Sequence, residues 1–467
     1  MDAPRLILDA RTRWSGTTLI GGSPIRVMRL GARGLPILEA ELTGRPSPDP
    51  GAARSLSKRL CAAGLAHPVP VPSGIGRETV AVVIPVHDDP GGVGSLLAGD
   101  GIVGSAEVVV VDDGSTAGRA PRVAARTLRN QTALGPAAAR NRGWRATVAP
   151  FVVFVDADVS VSGRWIEELL ASFTDDDVVA VAPRVRAAPG SRALDRYEEH
   201  RSPLDMGTAP AVVRPGSPVP YVPAAALVVR RDALEAVGGF DEALRYGEDV
   251  DLVWRLTALG TVRYRPDVVV GHRNRGSWWD LARQRASYGR AAAPLESRHR
   301  GAASPLVINR WSALAWGGAL VGGRRGALGG VLVALGSTTA LARRLRGHVP
   351  DPLAVSVRIA GLGNLAAGRW IAEAARRAWW PVLFVAAPLS RRVRRLTVAI
   401  VLAPPLASWF RRRPRLDPLR WTVACALDDG AYALGAWRGC VRERSVRALL
   451  PRLRAGEREP AAHRRSR

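Results

Sequence analysis

A chain of 467 residues is long enough for several domains with ordinary cores, which excludes a disulfide- or metal-stapled miniature. Its net charge of +26 is uneven: residues 301–467 hold 29 arginines against 8 acids and so carry +21 of it. Lys58 is the one lysine, which excludes chemistry needing a lysine elsewhere, and Cys61, Cys425 and Cys440 have no metal-ligand spacing and are too few for a disulfide framework.

The opening MDAPRLILDARTRW mixes acid and base among its apolar residues and has no signal-peptide core, so a reducing, cytoplasmic setting is expected. Residues 1–72 form a first small unit: RLILDART and SPIRVMRLG predict short strands, and GAARSLSKRLCAAGLAHP predicts a helix ended by Gly64 and followed by Pro68. PVPVPSGIGRE is a linker. From Val80 the pattern changes to apolar, β-branched runs, VAVVIPV, AEVVVVDDGS, FVVFVDADVSV and VVAVAPRV, with helical spacers between some of them. Such runs predict a parallel sheet covered on both faces, hence an α/β domain over residues 79–300. In that architecture ligands bind at the carboxyl ends of the strands. The acids fall there: Asp88 after the first run, Asp112 and Asp113 after the second, Asp156 and Asp158 after the third. Extended geometry through Ala157 turns Asp156 and Asp158 to one side, an arrangement best tolerated beside a cation.

Residues 301–467 alternate apolar runs with arginine clusters and predict a mostly helical region. Its uncharged runs, 326–342 and 396–410, are shorter than the ~20 residues of a membrane-spanning helix. Interfacial or re-entrant helices, with arginines and Trp379, Trp380 and Trp409 at headgroup depth, are one expectation; a soluble helical domain with a solvated arginine face is the other.

Four stretches converge on one chemistry. IPVHDD presents Pro85, His87 and Asp88; VDDGS offers Asp112 and Asp113; LGPAAARNRGW is a small-residue helix with Arg140 and Asn141; DAD follows. Together they resemble the donor half of a family 2 glycosyltransferase of the GT-A fold. The resemblance implies a nucleotide-diphospho-sugar donor held by Pro85, His87, Asp88, Asp113, Arg140 and Asp156, with Asp113 reading the base. It also implies Mg²⁺ or Mn²⁺ on the diphosphate, bound by Asp158 directly and by Asp156 through ribose or water. A divalent ion would stabilise the charge that develops on that leaving group.

GEDVDLVWR matches the acceptor half of the same family. Glu248, Asp249 and Asp251 crowd the first turn of a predicted helix, with Leu252, Leu256 and Leu259 on its buried face. By resemblance Asp249 of the Glu248–Asp249 pair is the general base, one base with no covalent intermediate, and the reaction inverts the anomeric carbon. Asp251 reads as an ion pair with Arg255 or as an acceptor contact. His272, after DVVVGH, is a third metal ligand or a structural histidine. WWDLARQRASYG is similar to the Gln-x-x-Arg-Trp helix of processive synthases, with altered spacing, and makes Gln284, Arg285 and Tyr288 acceptor-chain candidates.

The competing readings are weaker. Asp88 and Asp113 could be mere helix caps. A haloacid-dehalogenase phosphatase also has Asp-x-Asp after a strand, but on the first strand and with a downstream basic residue, usually lysine; Lys58 lies upstream. A receiver domain fails on the same lysine, and a degenerate scaffold would not need Asp113, Asp156, Asp158 and Asp249 together.

The first 72 residues resemble the small winged-helix peptide-recognition proteins of modified-peptide pathways, which bind an extended peptide along a sheet edge. A DNA-binding winged helix is the alternative, but ten basic against five acidic residues is no nucleic-acid footprint. This layout along the whole chain is similar to the mycofactocin-system glycosyltransferases. That resemblance implies glucose added from UDP-glucose, as a β-1,4-linked oligosaccharide, to a peptide-derived redox cofactor at the inner face of the cell membrane. The alternative is a sugar such as rhamnose added to a lipid-linked cell-wall intermediate.

Overall fold

The computed structural model describes residues 5–454; residues 1–4 and 455–467, the outer ends of the regions assigned at 1–72 and 301–467, lie outside the described residues. The chain divides into two units, Met1–Trp278 with Pro414–Leu416, and Trp279–Arg413 with Asp417–Arg467.

The first unit opens with β1 (Leu6–Leu8), β2 (Arg13–Ser15), β3 (Thr18–Gly21), β4 (Arg26–Arg29), α1 (Gly34–Thr43), α2 (Pro50–Ala63) and β5 (Ala66–Pro68). Strands β2, β3 and β4 form an antiparallel sheet, while β1 pairs antiparallel with β5. Leu19, Leu38, Leu60 and Leu65 are fully buried between these pieces. The helix read from GAARSLSKRLCAAG is α2. Asp49 caps it by accepting from Ala52 N at 2.9 Å, Pro50 opens the first turn, and Gly64 closes it at φ 68°, a left-handed conformation that favours glycine.

The α/β domain follows: β6 (Val80–Val86), α3 (Pro90–Ala98), β7 (Glu107–Asp113), β8 (Arg126–Asn130), α4 (Pro136–Arg145), β9 (Phe151–Val155), β10 (Val159–Ser160), α5 (Trp165–Leu170), β11 (Val178–Ala187), α6 (Ala193–Arg201), β12 (Ala211–Val212), β13 (Ala226–Arg230), α7 (Arg231–Ala236), α8 (Glu248–Leu256) and β14 (Thr261–His272). The sheet runs β10-β14-β11-β13-β9-β6-β7-β8, with β12 on β14. Strands β8, β7, β6 and β9 are parallel, as are β11 and β14. The sheet is not all-parallel as expected, because β13 enters antiparallel between β9 and β11, and the short β10 and β12 run against β14. A strand buried on both faces reads the same in either direction, so the sequence does not signal this reversal. The small residues of α4 let it lie close on the sheet: a Cβ on Gly143 would sit 2.3 Å from Val83 Cγ1.

The second unit comprises α9 (Trp278–Arg290) from its second residue on, α10 (Ala292–Arg298), β15 (Val307–Asn309), α11 (Arg310–Val321), α12 (Gly323–Leu345), α13 (Pro352–Arg377), α14 (Trp380–Ala386), α15 (Arg391–Arg412), α16 (Pro418–Arg442) and β16 (Arg452–Arg454). Helices α9 and α16 touch backbone to backbone; a Cβ on Gly435 would meet Ala286 O at 1.9 Å. Buried Asp428 and Asp429 of α16 pair with Arg285 of α9 at 3.1 Å and with Arg376 of α13 at 2.5 Å. Two expectations change here. The uncharged runs are extended by their flanking arginines into helices of 23 and 22 residues, α12 and α15, both long and apolar enough to cross a membrane. Only 11% and 6% of their apolar windows are buried within the unit. Trp379, expected at a headgroup surface, is half-buried against the unit's core and donates its indole N–H to Leu449 O at 2.7 Å.

Candidate active site

The carboxyl ends of β6 and β7 are tied together before any ligand is considered. Pro85 lies within β6 opposite Val111, half-buried. Exposed His87 sits with Nδ1 2.9 Å from Asp113 O. Asp88 adopts a left-handed φ of 54°, and its Oδ1 accepts from Thr116 N at 2.8 Å and Thr116 Oγ1 at 3.0 Å. The Thr116 backbone N–H holds the Asp88 carboxyl below its ordinary range. Asp112 binds Arg129 at 2.7 Å and Ser115 N at 2.9 Å. Asp113 accepts from Asn130 Nδ2 at 2.8 Å, Leu134 N at 2.9 Å and Gly135 N at 2.7 Å. It therefore shapes the loop that enters α4.

Arg140 of α4 joins the two halves of the site. Its Nη2 donates to Asp156 Oδ1 at 2.7 Å and its Nη1 to Glu248 Oε1 at 2.9 Å, with the guanidinium 5.4 Å from the Phe240 ring centroid. The next residue fixes the same helix: Asn141 donates to Phe240 O and accepts from Phe240 N, each at 2.9 Å. Burial alone would lower the Arg140 guanidinium, but the charges of Asp156 and Glu248 overcome it and hold it above its ordinary value.

Helix α8 starts at Gly247, φ 77°, with Glu248, Asp249 and Asp251 in its first turn. One guanidinium thus faces Asp156, Glu248 and Asp249. Burial, and then the charge of Asp249, push the Glu248 carboxyl up to about 7. Burial also raises Asp249, against the pull of Arg140.

A raised carboxyl binds its proton more tightly in the folded state. Its stabilisation is present below the ordinary value of 4.5 and is lost as pH rises through about 7. Denaturant midpoints of the wild type should therefore fall between those pH values, and Glu248→Gln should flatten that fall.

Asp158 and His272 meet at the end of β14, with Oδ2 and Nε2 3.3 Å apart. Burial would raise the Asp158 carboxyl, but His272, Arg275 and Arg273 hold it below its usual range. Carboxylate and imidazole converging at a strand end fit a divalent cation that takes its remaining ligands from water and phosphate. The three expected ligands do not form one group. Asp156 Oδ1 is taken by Arg140, and no cluster of three or more His, Cys, Asp or Glu suited to a metal occurs among the described residues.

Of the two readings of Asp251, the structure shows the ion pair: Asp251 is buried and bound by Arg255 Nε at 2.8 Å, a brace inside α8's packing. Two other expectations need correction. Arg285 is buried against Asp428 within the helical unit. Leu259 lies beyond α8 and is 51% exposed, so the buried face ends at Leu256. Gln284 donates to Tyr288 Oη at 2.9 Å along α9, in the second unit. What the motifs did not reveal is the Phe240 ring under Arg140 and the pairing of Arg273 with Asp89. Neither partner stands at a spacing that a motif could carry.

A glycosyl transferase family 2 model matches residues 95–238. The chain is 39% identical over 469 residues to the pre-mycofactocin glycosyltransferase of Mycobacterium tuberculosis strain CDC 1551 / Oshkosh, covering 96% of this chain and 97% of the relative. The protein of that name from strain ATCC 25618 / H37Rv matches to the same extent. Among solved structures, a mannosyltransferase from Pyrobaculum calidifontis in complex with GDP-Man and Mn²⁺ is 20% identical, with TM-score 0.36 over 64% of this chain and 89% of that one. S. aureus TarS residues 1–349 are 17% identical, with TM-score 0.35 over 61% and 91%. These structural likenesses are too loose to assign a ligand or a residue role here. The full-length relatives are close enough to decide kinship: this chain belongs to the pre-mycofactocin glycosyltransferase family, with a family 2 domain of the GT-A fold.

Proposed function

We propose that this glycosyltransferase moves glucose from UDP-glucose to a hydroxyl of a peptide-derived redox cofactor in mycofactocin biosynthesis, with inversion, and builds a β-1,4-linked oligosaccharide. The observation that carries the reading is the set of three carboxylates around Arg140 at the strand ends, two of them with raised carboxyl values on the first turn of α8.

In this reading the acceptor hydroxyl attacks the anomeric carbon from the face opposite the nucleotide. The new carbon–oxygen bond forms as the bond to the diphosphate oxygen breaks, and the hydroxyl proton passes to Asp249. Burial raises Asp249 toward the working pH, which suits a base that must hold a proton only after transfer. Arg140 keeps Glu248 and Asp156 in place on either side. Asp113 and Asp88 shape the loops on which the nucleotide would lie, and Pro85 and His87 complete that edge. Asp158 and His272 would hold Mg²⁺ or Mn²⁺, which when bound neutralises charge on the departing diphosphate. The N-terminal α+β region supplies peptide-derived acceptor recognition, and no nucleic-acid role is assigned to it.

The proposed location is the cytoplasmic face of the membrane, supported by the exposed apolar length of α12 and α15 between arginine clusters. The protein is expected to co-sediment with anionic vesicles. If the clustered arginines act through a screened surface field, the bound fraction falls as salt rises. A protein that stays in the supernatant at low salt removes the membrane from the reading.

The same exposed helices favour one second reading, transfer of a sugar such as rhamnose to a lipid-linked cell-wall intermediate. A panel of nucleotide sugars with Mg²⁺ or Mn²⁺ separates the two by nucleotide release. UDP release from UDP-glucose that depends on the peptide-derived acceptor supports the first. Turnover confined to dTDP-rhamnose with a lipid acceptor supports the second.

A further inference from the structure

Within the first unit, the N-terminal region and the α/β domain enclose a cleft of ≈ 220 Å³. That is smaller than the ~300–1,000 Å³ of pockets for drug-sized ligands, so an occupant is small. Apolar wall comes from the segment flanking β12, including Pro210, Val212 and Val219. Polar wall comes from Asp9, Arg11, His67 and Arg214.

The charges do not balance. Asp9 is already satisfied: Oδ2 lies 3.0 Å from His67 Nε2, and Oδ1 accepts from Arg11 N at 2.9 Å. Arg214 has no such counterpart. Its Nη2 donates to Ala62 O at 2.7 Å, and among the described residues no carboxylate pairs with it. Burial and the neighbouring charge of Arg26 press its guanidinium below its ordinary value, as expected of a cation short of a counter-ion.

The wall is also continuous with the reaction site. Just past Val219, Pro220 O accepts from Trp254 Nε1 of α8 at 2.8 Å, and Ala225 O accepts from Asp156 N at 3.0 Å. The segment beyond the cleft wall is therefore tied by hydrogen bonds to Asp156 and α8.

We propose that this cleft is a second binding site, for a small organic carboxylate with an apolar body, held by Arg11 and Arg214. A carboxylate offers the guanidinium charge-assisted hydrogen bonds, and the proline and valine wall takes the apolar part. The proposal does not depend on which sugar is transferred.

Phenylpropionate and its neutral amide are suitable probes, titrated into the full chain and followed by ligand-observed NMR. The acid is expected to bind at least tenfold tighter than the amide. Arg214→Gln should abolish that preference, Arg11→Gln at an exposed position should weaken it, and Arg214→Lys should keep part of it. Thermal unfolding serves as the check that each variant is folded. Equal binding of acid and amide overturns the proposal, as does a preference unchanged in both glutamine variants or full displacement of the acid by inorganic phosphate. Binding is read without turnover, so a failed glucose assay leaves this test intact.

Discussion

Asp249→Asn is expected to lower kcat by ~10² to 10⁴ while donor affinity stays near wild type, because a general base acts in the transition state and not in donor binding. The substitution is isosteric. The side-chain oxygen that accepts from Val250 N at 2.8 Å has an equivalent in asparagine, so the first turn of α8 keeps its local bond. If Asp249 only complemented the helix dipole, the change would be worth ~0.3 to 1 kcal/mol of stability and catalysis would hardly respond. Donor affinity by calorimetry beside turnover separates these cases. Turnover and affinity both near wild type would move the proton acceptor to Glu248, whose carboxyl is pushed up to about 7. The pH profile gives a second readout. With the pair acting as base, the rate rises with pH through about 7, since the proton must leave before the pair can accept another.

Asp158→Asn is expected to abolish metal-dependent transfer with the fold intact. A neutral amide cannot supply the charge that holds a divalent cation. The surroundings sharpen the expectation. Arg275 lies 3.9 Å from Asp158 Oδ2, so removing the carboxylate leaves a locally positive site that repels the ion. Calorimetric titration of Mn²⁺ in the presence of UDP reads this without turnover, and thermal unfolding confirms that the variant folds. Activity that survives with its metal dependence unchanged would take Asp158 out of the site. Asp156→Asn should behave differently. It loosens Arg140 and lowers turnover with a weaker effect on ion affinity, because Asp156 Oδ1 faces the guanidinium.

Much of this protein is set locally. Runs such as Val80–Ile84 are fully buried as strands because nothing else accommodates consecutive β-branched residues so well. Gly64 ends α2 and Gly247 opens α8 because both hold left-handed φ values that other residues adopt at a cost. The acids stand at strand ends because a strand followed by a turn puts them there, and that placement, with the resemblance, was legible without coordinates.

The rest depends on partners far apart in the chain. Arg140 lies 16 residues from Asp156 and 108 from Glu248, and only the packing of α4 on the sheet brings the three together. The antiparallel entry of β13, the Asp428–Arg285 and Asp429–Arg376 pairs, and the packing of half-buried Trp379 are decided the same way. The cleft at Arg214 exists because two regions separated in sequence by β6 to β11 close on it. Sequence by itself determined the strands, caps and strand-end acids, whose causes lie within a few residues. Tertiary structure alone decided strand direction, charge pairing and enclosure, because each is a property of which surfaces exclude water together.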